Sequence, residues 1–259
     1  MDLNLKEKVA VVTGGSKGIG FYTALQLVKE GAKVAIVARN KQNLEGAADI
    51  IKEQTGESVF IISADVTKQD ECTRIINETV NYYGKLDILV NNAGQSATLS
   101  FEEVDADLWQ SDLDLKLFGA INCSKAAVPY LKQKGGSIIN LSAVLAKTPP
   151  ATSLPTTVSR AAGLALTKAM SRDLGKYNIR VNAVCIGLVR SEQVDRLWRE
   201  KMPDLTWDEY SKEIGKTIPL GRVGNTEEAA KVITFLASDA ASYVTGTSVN
   251  IDGGSGGTL

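Results

Sequence analysis

Short apolar runs alternate with longer amphipathic stretches along most of the chain. Seven runs are rich in β-branched and other aliphatic residues, are bounded by polar or glycine residues, and are too short for typical helices. They cover residues 8–12, 33–37, 58–62, 86–90, 137–141, 179–184 and 248–251. Continuous apolar runs of this length are typical of strands that are buried on both faces of a parallel sheet.

The stretches between these runs are amphipathic at helical spacing. They predict helices near residues 20–31, 41–54, 68–83, 107–133, 156–175 and 226–237, and residues 190–220 form a more variable region. Strands that alternate with helices build a parallel sheet, and right-handed crossovers then place helices on both of its faces. We expect an α/β fold with a Rossmann-type, doubly wound, parallel seven-stranded sheet, in one domain over residues 1–259.

A glycine-rich turn, TGGSKGIG at 13–20, joins the first predicted strand to the first predicted helix. Its glycines at 14, 18 and 20 follow a G-x-x-x-G-x-G spacing. Glycines let the backbone approach a ligand closely, and the N-terminus of a helix favours a pyrophosphate. At the first strand–turn–helix of an alternating chain, this motif predicts a dinucleotide site, with a plain tight turn as the alternative.

The end of the second predicted strand bears on which dinucleotide binds. An acidic residue there would bind the ribose hydroxyls of NAD, but this strand ends in Ala38, followed by Arg39 and Asn40. Arg39 and Lys17 would offer a 2′-phosphate two positive charges and no repelling carboxylate. We therefore expect NADP(H) rather than NAD(H), unless both cations are merely solvated surface charges.

Composition and charge narrow the function classes. The 259 residues have a net charge of −1 and no basic block, so we expect neither nucleic acid nor membrane as a partner. No apolar run reaches membrane-spanning length and the N-terminus has no signal-like segment, so we expect a cytoplasmic protein.

The three scattered cysteines fit a reducing compartment. The chain has no histidine, which excludes Ser–His catalysis and imidazole ligands, and we expect no metal site.

Four motifs together are distinctive: TGGSKGIG at 13–20, ADVT at 64–67, NNAG at 91–94, and PLGRVG…YVTGTSVNIDGG from 219 to 254. With them the chain resembles the classical short-chain dehydrogenase/reductase family over essentially its whole length, and in particular the members that are 3-oxoacyl-ACP reductase-like. The resemblance implies hydride transfer between a nicotinamide and the carbonyl or alcohol carbon of a small molecule. It also implies a substrate lid within residues 190–220 and a homo-oligomer, either a tetramer or a dimer.

The resemblance further assigns cofactor contacts to the glycine turn and to the ends of several strands. Asp65 and Val66 would contact the adenine, and Asn92, Ala93 and Gly94 would line the adenosine side. Residues 186–189 would meet the nicotinamide, although the family usually has proline at position 186. The full set is Gly14, Ser16, Lys17, Gly18, Ile19, Gly20, Arg39, Asn40, Asp65, Val66, Asn92, Ala93, Gly94, Ile186, Gly187 and Val189.

The four catalytic positions of the family carry other residues in this chain. The family uses a tyrosine as acid, a lysine that lowers the tyrosine pKa, a serine that orients the substrate oxygen, and an asparagine that holds a water. Local patterns place Thr156 at the tyrosine, Arg160 at the lysine and Lys116 at the asparagine. Ala143 falls at the serine position, with Ser142 just before it.

These substitutes suggest a rewired site. Arginine can stabilise a developing alkoxide, as Arg160 would, and a lysine whose pKa is lowered by burial can act as an acid, as Lys116 would. Thr156 and Ser142 would donate hydrogen bonds, and a water could supply the proton in place of Lys116. The alternative is that Lys116 and Arg160 only snorkel or pair with nearby acids such as Asp112 or Asp114.

We therefore predict an NADP(H)-dependent oxidoreductase with a nonstandard proton relay, acting on a carbonyl, an alcohol, an imine or an activated alkene. Two alternatives stay open from the sequence. The protein could be a catalytically silent NADP(H)-binding sensor or partner subunit. It could also use the fold without net redox, as a lyase or dehydratase does.

Overall fold

A computed structural model describes residues 2–258 of the chain. Within them nine strands form, namely β1 (Val9–Thr13), β2 (Lys33–Ala38), β3 (Phe60–Ser63), β4 (Ile88–Asn91), β5 (Thr98–Leu99), β6 (Gly136–Ala143), β7 (Leu154–Pro155), β8 (Ile179–Ile186) and β9 (Ser248–Ile251). Seven of these strands pair in parallel in the order β3-β2-β1-β4-β6-β8-β9. The predicted doubly wound, Rossmann-type sheet is confirmed.

Helices cover both faces of this sheet. Within the described residues they are α1 (Gly18–Lys29), α2 (Lys41–Thr55), α3 (Gln69–Tyr83), α4 (Ala106–Leu113), α5 (Gly119–Leu131), α6 (Thr156–Leu174), α7 (Glu192–Lys201), α8 (Trp207–Ile214) and α9 (Thr226–Ala237). Successive residues of a strand point to opposite faces. In β1, Ala10 and Val12 therefore pack with α1, α2 and α9, whereas Val9 and Val11 pack with α3 and α5.

The helix predicted over residues 107–133 is divided in the structure. Between α4 and α5, residues Asp114–Phe118 form a π-helical turn, in which the Gly119 amide donates to the Asp114 carbonyl. A wider turn changes the apolar spacing by only one residue, so the sequence pattern does not reveal it. Isolated π turns of this kind are frequent at functional sites, and this one carries the buried side chain of Lys116.

A second, two-stranded sheet that the sequence did not predict joins two distant segments. β5 and β7 pair antiparallel, with Thr98 opposite Pro155 and Leu99 opposite Leu154. The ladder has only two residues on each side, too few to produce a readable alternation of apolar and polar positions. It fixes the segment after β4 against the first residue of α6, Thr156, which is one of the four predicted catalytic positions.

The variable region 190–220 contains α7 and α8, each with a capped N-terminus. The Ser191 hydroxyl accepts from the Val194 amide, and Thr206 forms a capping box with Glu209. Trp198 and Trp207 lie with their ring centroids 5.6 Å apart, and both also pack on the Tyr210 ring. These aromatic residues thus pack α7 against α8.

No helix within residues 2–258 combines the length and the hydropathy needed to cross a bilayer. The three cysteines are free thiols, and each is buried. Two of them, Cys72 and Cys123, belong to the apolar core between the sheet and the helices α3 and α5.

Candidate functional site

The glycine turn has the tight geometry that its sequence predicted. Gly14 and Gly18 adopt positive φ angles of 64° and 54°, a conformation that disfavours any side chain. A Cβ at Gly20 would collide with the Gly14 carbonyl and the Asn92 side chain. The Asn92 amide in turn donates to the carbonyls of Thr13 (2.9 Å) and Gly14 (3.1 Å), so it holds the turn in place.

A cavity of about 310 Å³ lies beside this turn, at the carboxyl ends of β2, β3 and β4. This is the edge of an open α/β sheet where ligands bind, at the point where the strand order reverses about β1. Eight residues of the predicted cofactor set line the cavity, namely Gly14, Ser16, Arg39, Asn40, Asp65, Val66, Ala93 and Gly94. Seven further lining residues were missed, namely Val37, Ala38, Asn43, Ala64, Gln95, Leu115 and Glu192.

The rest of the predicted cofactor set lies around this cavity or apart from it. Lys17 to Gly20 form the end of the turn and the start of α1, and Asn92 lies beneath the turn. Ile186 ends β8 opposite Ile251, and the Gly187 amide donates to the Ile251 carbonyl at 3.0 Å. Val189 lines a separate cavity of about 500 Å³ next to the end of β9. A nicotinamide contact for residues 186–189 stays a prediction.

The two cations predicted to meet a 2′-phosphate differ in their surroundings. The Lys17 ammonium lies 2.7 Å from a carboxylate oxygen of Glu192, the first residue of α7. Arg39 is exposed at the rim of the cavity and makes no ion pair with any of residues 2–258. The free positive charge at this rim is therefore that of Arg39, because Glu192 neutralises Lys17.

A buried polar cluster, made of Asp112, Lys116, Thr156 and Ser159, joins α4, the π turn and the first turn of α6. The Lys116 ammonium forms an ion pair with Asp112 Oδ1, and their side chains are only 1% and 4% exposed. Lys116 also donates to Thr156 Oγ1 at 2.7 Å, and Ser159 donates to Asp112 Oδ2 at 2.5 Å. For Lys116 the structure therefore realises the pairing with Asp112 that the sequence left as an alternative.

Thr156 has no hydrogen left to donate. Its hydroxyl accepts from the Lys116 ammonium and from the Ala97 amide (2.9 Å), and both of these groups only donate. Its single hydrogen must therefore go to the Ala97 carbonyl, 2.7 Å away. The predicted donor role of Thr156 toward a substrate does not fit this arrangement, because the residue instead connects α6 to the segment before β5.

Ser142 is engaged in a similar way. It is buried near the end of β6, and its hydroxyl donates to the Arg160 carbonyl at 3.2 Å. Neighbouring strand residues point to opposite faces of the sheet, so Ser142 does not replace a hydroxyl at position 143, where the chain has alanine. Its predicted role as a donor to the substrate does not fit this geometry either.

The Arg160 guanidinium links the polar cluster to the cavity. Its Nη1 donates to the Leu141 carbonyl at 2.5 Å. Its Nη2 lies against Gly94, where an added Cβ would be 2.6 Å from Nη2 and 3.5 Å from Lys116 Cγ. Gly94 lines the cavity, so the lack of a side chain there lets the Arg160 guanidinium and the Lys116 stem lie next to a cavity residue.

Burial dominates the electrostatics of these two cations. It lowers the pKa of Lys116 to about 8, although the hydrogen bond that Lys116 donates to Asp112 raises it, and the nearby Arg160 lowers it further. Burial likewise lowers the pKa of Arg160 to about 10, while Asp112 opposes this shift. A lysine with a pKa near 8 can exchange a proton close to neutral pH, whereas arginine serves as a fixed positive charge.

Ser159 is a site residue that the sequence reasoning missed, and Asp112 was named there only as a possible partner of Lys116. Asp112 precedes Lys116 by four residues, which is the spacing of neighbours on a helical face, so the sequence carried a signal for this pair. Nothing local indicates that Ser159 meets Asp112, because the two are 47 residues apart and come together only through tertiary packing.

Curated relatives with this sequence pattern are oxidoreductases. The family whose profile matches residues 14–256 is described as enoyl-(acyl carrier protein) reductase. A 3alpha-hydroxysteroid dehydrogenase from Mediterraneibacter gnavus is 37% identical over 255 residues, which cover 98% of each chain. The 3-oxoacyl-[acyl-carrier-protein] reductase FabG of Staphylococcus aureus is 37% identical over 249 residues, covering 95% of this chain and 97% of that protein.

Solved structures agree with this grouping. A short chain oxidoreductase from Pseudomonas aeruginosa PAO1, described as containing an atypical catalytic center, has a TM-score of 0.95 and 33% identity, with both chains covered in full. The L-sorbose reductase of Gluconobacter frateurii, complexed with NADPH and L-sorbose, has a TM-score of 0.93 and 31% identity, again over both full chains. By its motifs, its sheet and these relatives, the chain belongs to the classical short-chain dehydrogenase/reductase family of oxidoreductases.

Proposed function

We propose that the protein is an NADP(H)-dependent oxidoreductase in which Lys116 replaces tyrosine as the proton donor. The observation that carries this proposal is the position of Lys116, whose buried ammonium has a pKa of about 8 and whose Cγ lies next to Gly94, a residue that lines the cavity. The relative with an atypical catalytic center and the relative complexed with NADPH support it.

The cofactor cavity fits a dinucleotide. The glycines at 14, 18 and 20 leave a backbone cradle that a Cβ would fill or strain, and the N-terminus of α1 favours the pyrophosphate. Asp65 and Val66 line the cavity and would contact the adenine, and the exposed Arg39 suits a 2′-phosphate. When bound, the cofactor supplies or accepts the hydride at the substrate carbon.

The proton relay would run through the polar cluster. In reduction, the ammonium of Lys116 gives a proton to the substrate oxygen and regains one from solvent, while Arg160 stabilises the negative charge that develops on that oxygen. Asp112 and Thr156 hold the lysine in position through two of its three hydrogens. In oxidation, the neutral amine of Lys116 takes the proton from the alcohol.

The domain organisation and the oligomeric state proposed for this protein are those of its family. We propose a single domain in which α7 and α8 form the substrate lid, in a homotetramer or homodimer in the cytoplasm. The family forms its subunit contacts with the helices that correspond to α5 and α6. Phe118, just before α5, and Val158, in the first turn of α6, are 43% and 45% exposed. These exposed apolar side chains support this assembly.

A silent NADP(H)-binding protein is the second candidate. The ion pair of Lys116 with Asp112 favours it, because a fully engaged lysine would act only as a structural residue. Fluorescence titrations with NADPH and NADH, followed by assays of NADPH consumption with carbonyl compounds, separate the two. Binding with turnover supports the oxidoreductase, binding without turnover supports the silent protein, and failure to bind either nucleotide contradicts both.

Arg39→Ala should weaken NADPH binding by about 10- to 100-fold, because a hydrogen bond between charged groups is lost. Affinity for NADH should stay unchanged, since NADH has no 2′-phosphate. The two dissociation constants can be measured by fluorescence titration. Lys41→Ala is a matched control, because Lys41 is exposed two residues further on and pairs with Glu45. An equal loss of affinity for both nucleotides would refute the assignment of Arg39.

Glu192→Gln should strengthen NADPH binding about 2- to 5-fold. The Glu192 carboxylate competes with the cofactor phosphates for Lys17, whereas the neutral amide of glutamine does not. The effect is modest because the Lys17 and Glu192 side chains are 48% and 71% exposed. Titration at low and high salt measures it, and high salt should reduce the gain. Glu200→Gln, on the same helix, should have no effect. Weaker NADPH binding in Glu192→Gln would instead mean that Glu192 binds the cofactor.

A further inference from the structure

The hydroxyl groups around the polar cluster have no hydrogen free for a substrate. The hydroxyls of Thr156 and Ser142 donate their hydrogens to backbone carbonyls. The hydroxyl of Ser159 donates to Asp112 or, alternatively, to the Thr156 carbonyl at 3.1 Å. A neutral hydrogen-bond donor of the kind that suits an uncharged carbonyl oxygen is therefore missing among these residues.

The free hydrogens at the site belong to cations. Lys116 uses two of its three ammonium hydrogens, on Asp112 and Thr156. Arg160 uses Nη1 on the Leu141 carbonyl, whereas its Nη2 has no acceptor among residues 2–258 and lies at the cavity edge formed by Gly94. A ligand oxygen that reaches Arg160 Nη2 therefore meets a charged side-chain donor.

The charges of the site do not balance. Lys116 and Arg160 supply two positive charges, and Asp112, which is committed to Lys116, supplies one negative charge. Arg160 forms no ion pair with any residue in the described range 2–258. A guanidinium removed from water is costly without an anionic partner, and its planar fork of donors matches a carboxylate.

We infer that the substrate is an oxo acid, a carbonyl compound that carries a carboxylate close to the reacting carbon. This inference rests on the proposed function. Arg160 binds the carboxylate, and the third hydrogen of Lys116 meets the carbonyl oxygen. Arg160 Nη2 and Lys116 Cγ lie 2.6 and 3.5 Å from the point where a Cβ of residue 94 would be, and the Lys116 ammonium is three bonds beyond Cγ. A substrate that contacts both cations therefore carries its carboxylate within a few bonds of its carbonyl.

The balanced reaction adds a hydride, with its two electrons, from the reduced cofactor to the carbonyl carbon, and a proton from Lys116 to the oxygen. The product is the hydroxy acid, the cofactor leaves oxidised, and water reprotonates Lys116. The carboxylate itself does not react, so it serves only to orient the substrate and to complete the charge of the site.

Carboxylate binding can be tested without turnover. Oxamate and malonate, which cannot be reduced at this site, resemble a 2-oxo and a 3-oxo acid in the spacing of their charged group. We expect at least one of them to bind the NADPH-loaded protein, and its neutral methyl ester to bind at least about 10-fold more weakly. Arg160→Gln should remove this preference, while Arg160→Lys should keep part of it. Circular dichroism confirms that both variants are folded.

The outcomes separate this inference from the proposed function. Equal binding of acid and ester, or an Arg160→Gln variant that loses NADPH affinity but still prefers the acid, would overturn the inference. Preferential reduction of pyruvate or acetoacetate over the matching ester supports both proposals. Carboxylate binding that depends on Arg160, in a protein that reduces no oxo acid, supports the anion site and contradicts the oxidoreductase.

Discussion

Replacing Lys116 by methionine should lower kcat/KM for carbonyl reduction by about 10²- to 10⁴-fold, the usual contribution of a positioned general acid. Methionine fills a similar volume in the buried cluster but carries no proton. The measurement is the steady-state rate of NADPH consumption in the wild-type protein and the variant. NADPH affinity, measured by fluorescence, should change little, since Lys116 is assigned no contact with the nucleotide.

The pH profile gives this prediction a second readout. Reduction needs the protonated form of Lys116, whose pKa is about 8, so the wild-type rate should fall as pH rises through 8. Lys116→Met should lack this falling limb. Lys125→Met, at an exposed position two turns further along, is the control and should keep both rate and profile. A Lys116→Met variant with undiminished activity would show that another group donates the proton.

Asp112→Ala should lower the free energy of unfolding by about 3–5 kcal/mol at pH 7, because it leaves the Lys116 charge buried without its partner. The Lys116 and Asp112 side chains are 1% and 4% exposed, so solvent screens the pair little. Urea denaturation of the wild type and the variant, followed by circular dichroism, measures the loss. The double variant Asp112→Ala/Lys116→Met should lose less than the single one, because it buries no unpaired charge.

The loss in Asp112→Ala should also depend on pH. The folded-state pKa of Lys116, about 8, lies below its ordinary value of 10.5, so the charged lysine opposes folding. In the wild type that penalty is complete below pH 8 and is relieved as pH rises from about 8 to 10.5. Without Asp112 the folded-state pKa falls further, so the variant loses the buried charge at a lower pH than the wild type, and the difference in stability should shrink as pH rises toward 8 and stay level above it. A difference that does not shrink as pH rises toward 8 would mean that Asp112 acts through packing alone.

The sheet and the cofactor end could be predicted because their signals are local. Each central strand is a short apolar run, and the glycine turn is one contiguous motif whose spacing reflects backbone geometry. The residues that the turn and the strand ends bring to the cavity, such as Gly14, Arg39 and Asp65, followed from their places along the chain. Glu192 was missed because it reaches the turn from a helix that begins 175 residues beyond Lys17.

The catalytic end was harder to predict because its contacts are not local. The sequence placed Lys116, Thr156 and Arg160 in one region, but it could not show which of their hydrogens are donated within the protein. Thr156 has no free hydrogen because it bonds to Ala97, and the two meet only because two short strands, β5 and β7, pair beside them. A two-residue ladder leaves no periodic signal, and a π turn is not distinguishable from an ordinary helix by its apolar spacing.

The engagement of Thr156 has an evolutionary consequence. A tyrosine at position 156 would remove, in one step, the acceptor of the Lys116 and Ala97 hydrogen bonds and the donor to the Ala97 carbonyl. A single substitution of Thr156 by tyrosine is therefore not neutral, because Lys116 and the backbone around Ala97 lose their partner at the same time. Position 156 is thus coupled by epistasis to Lys116.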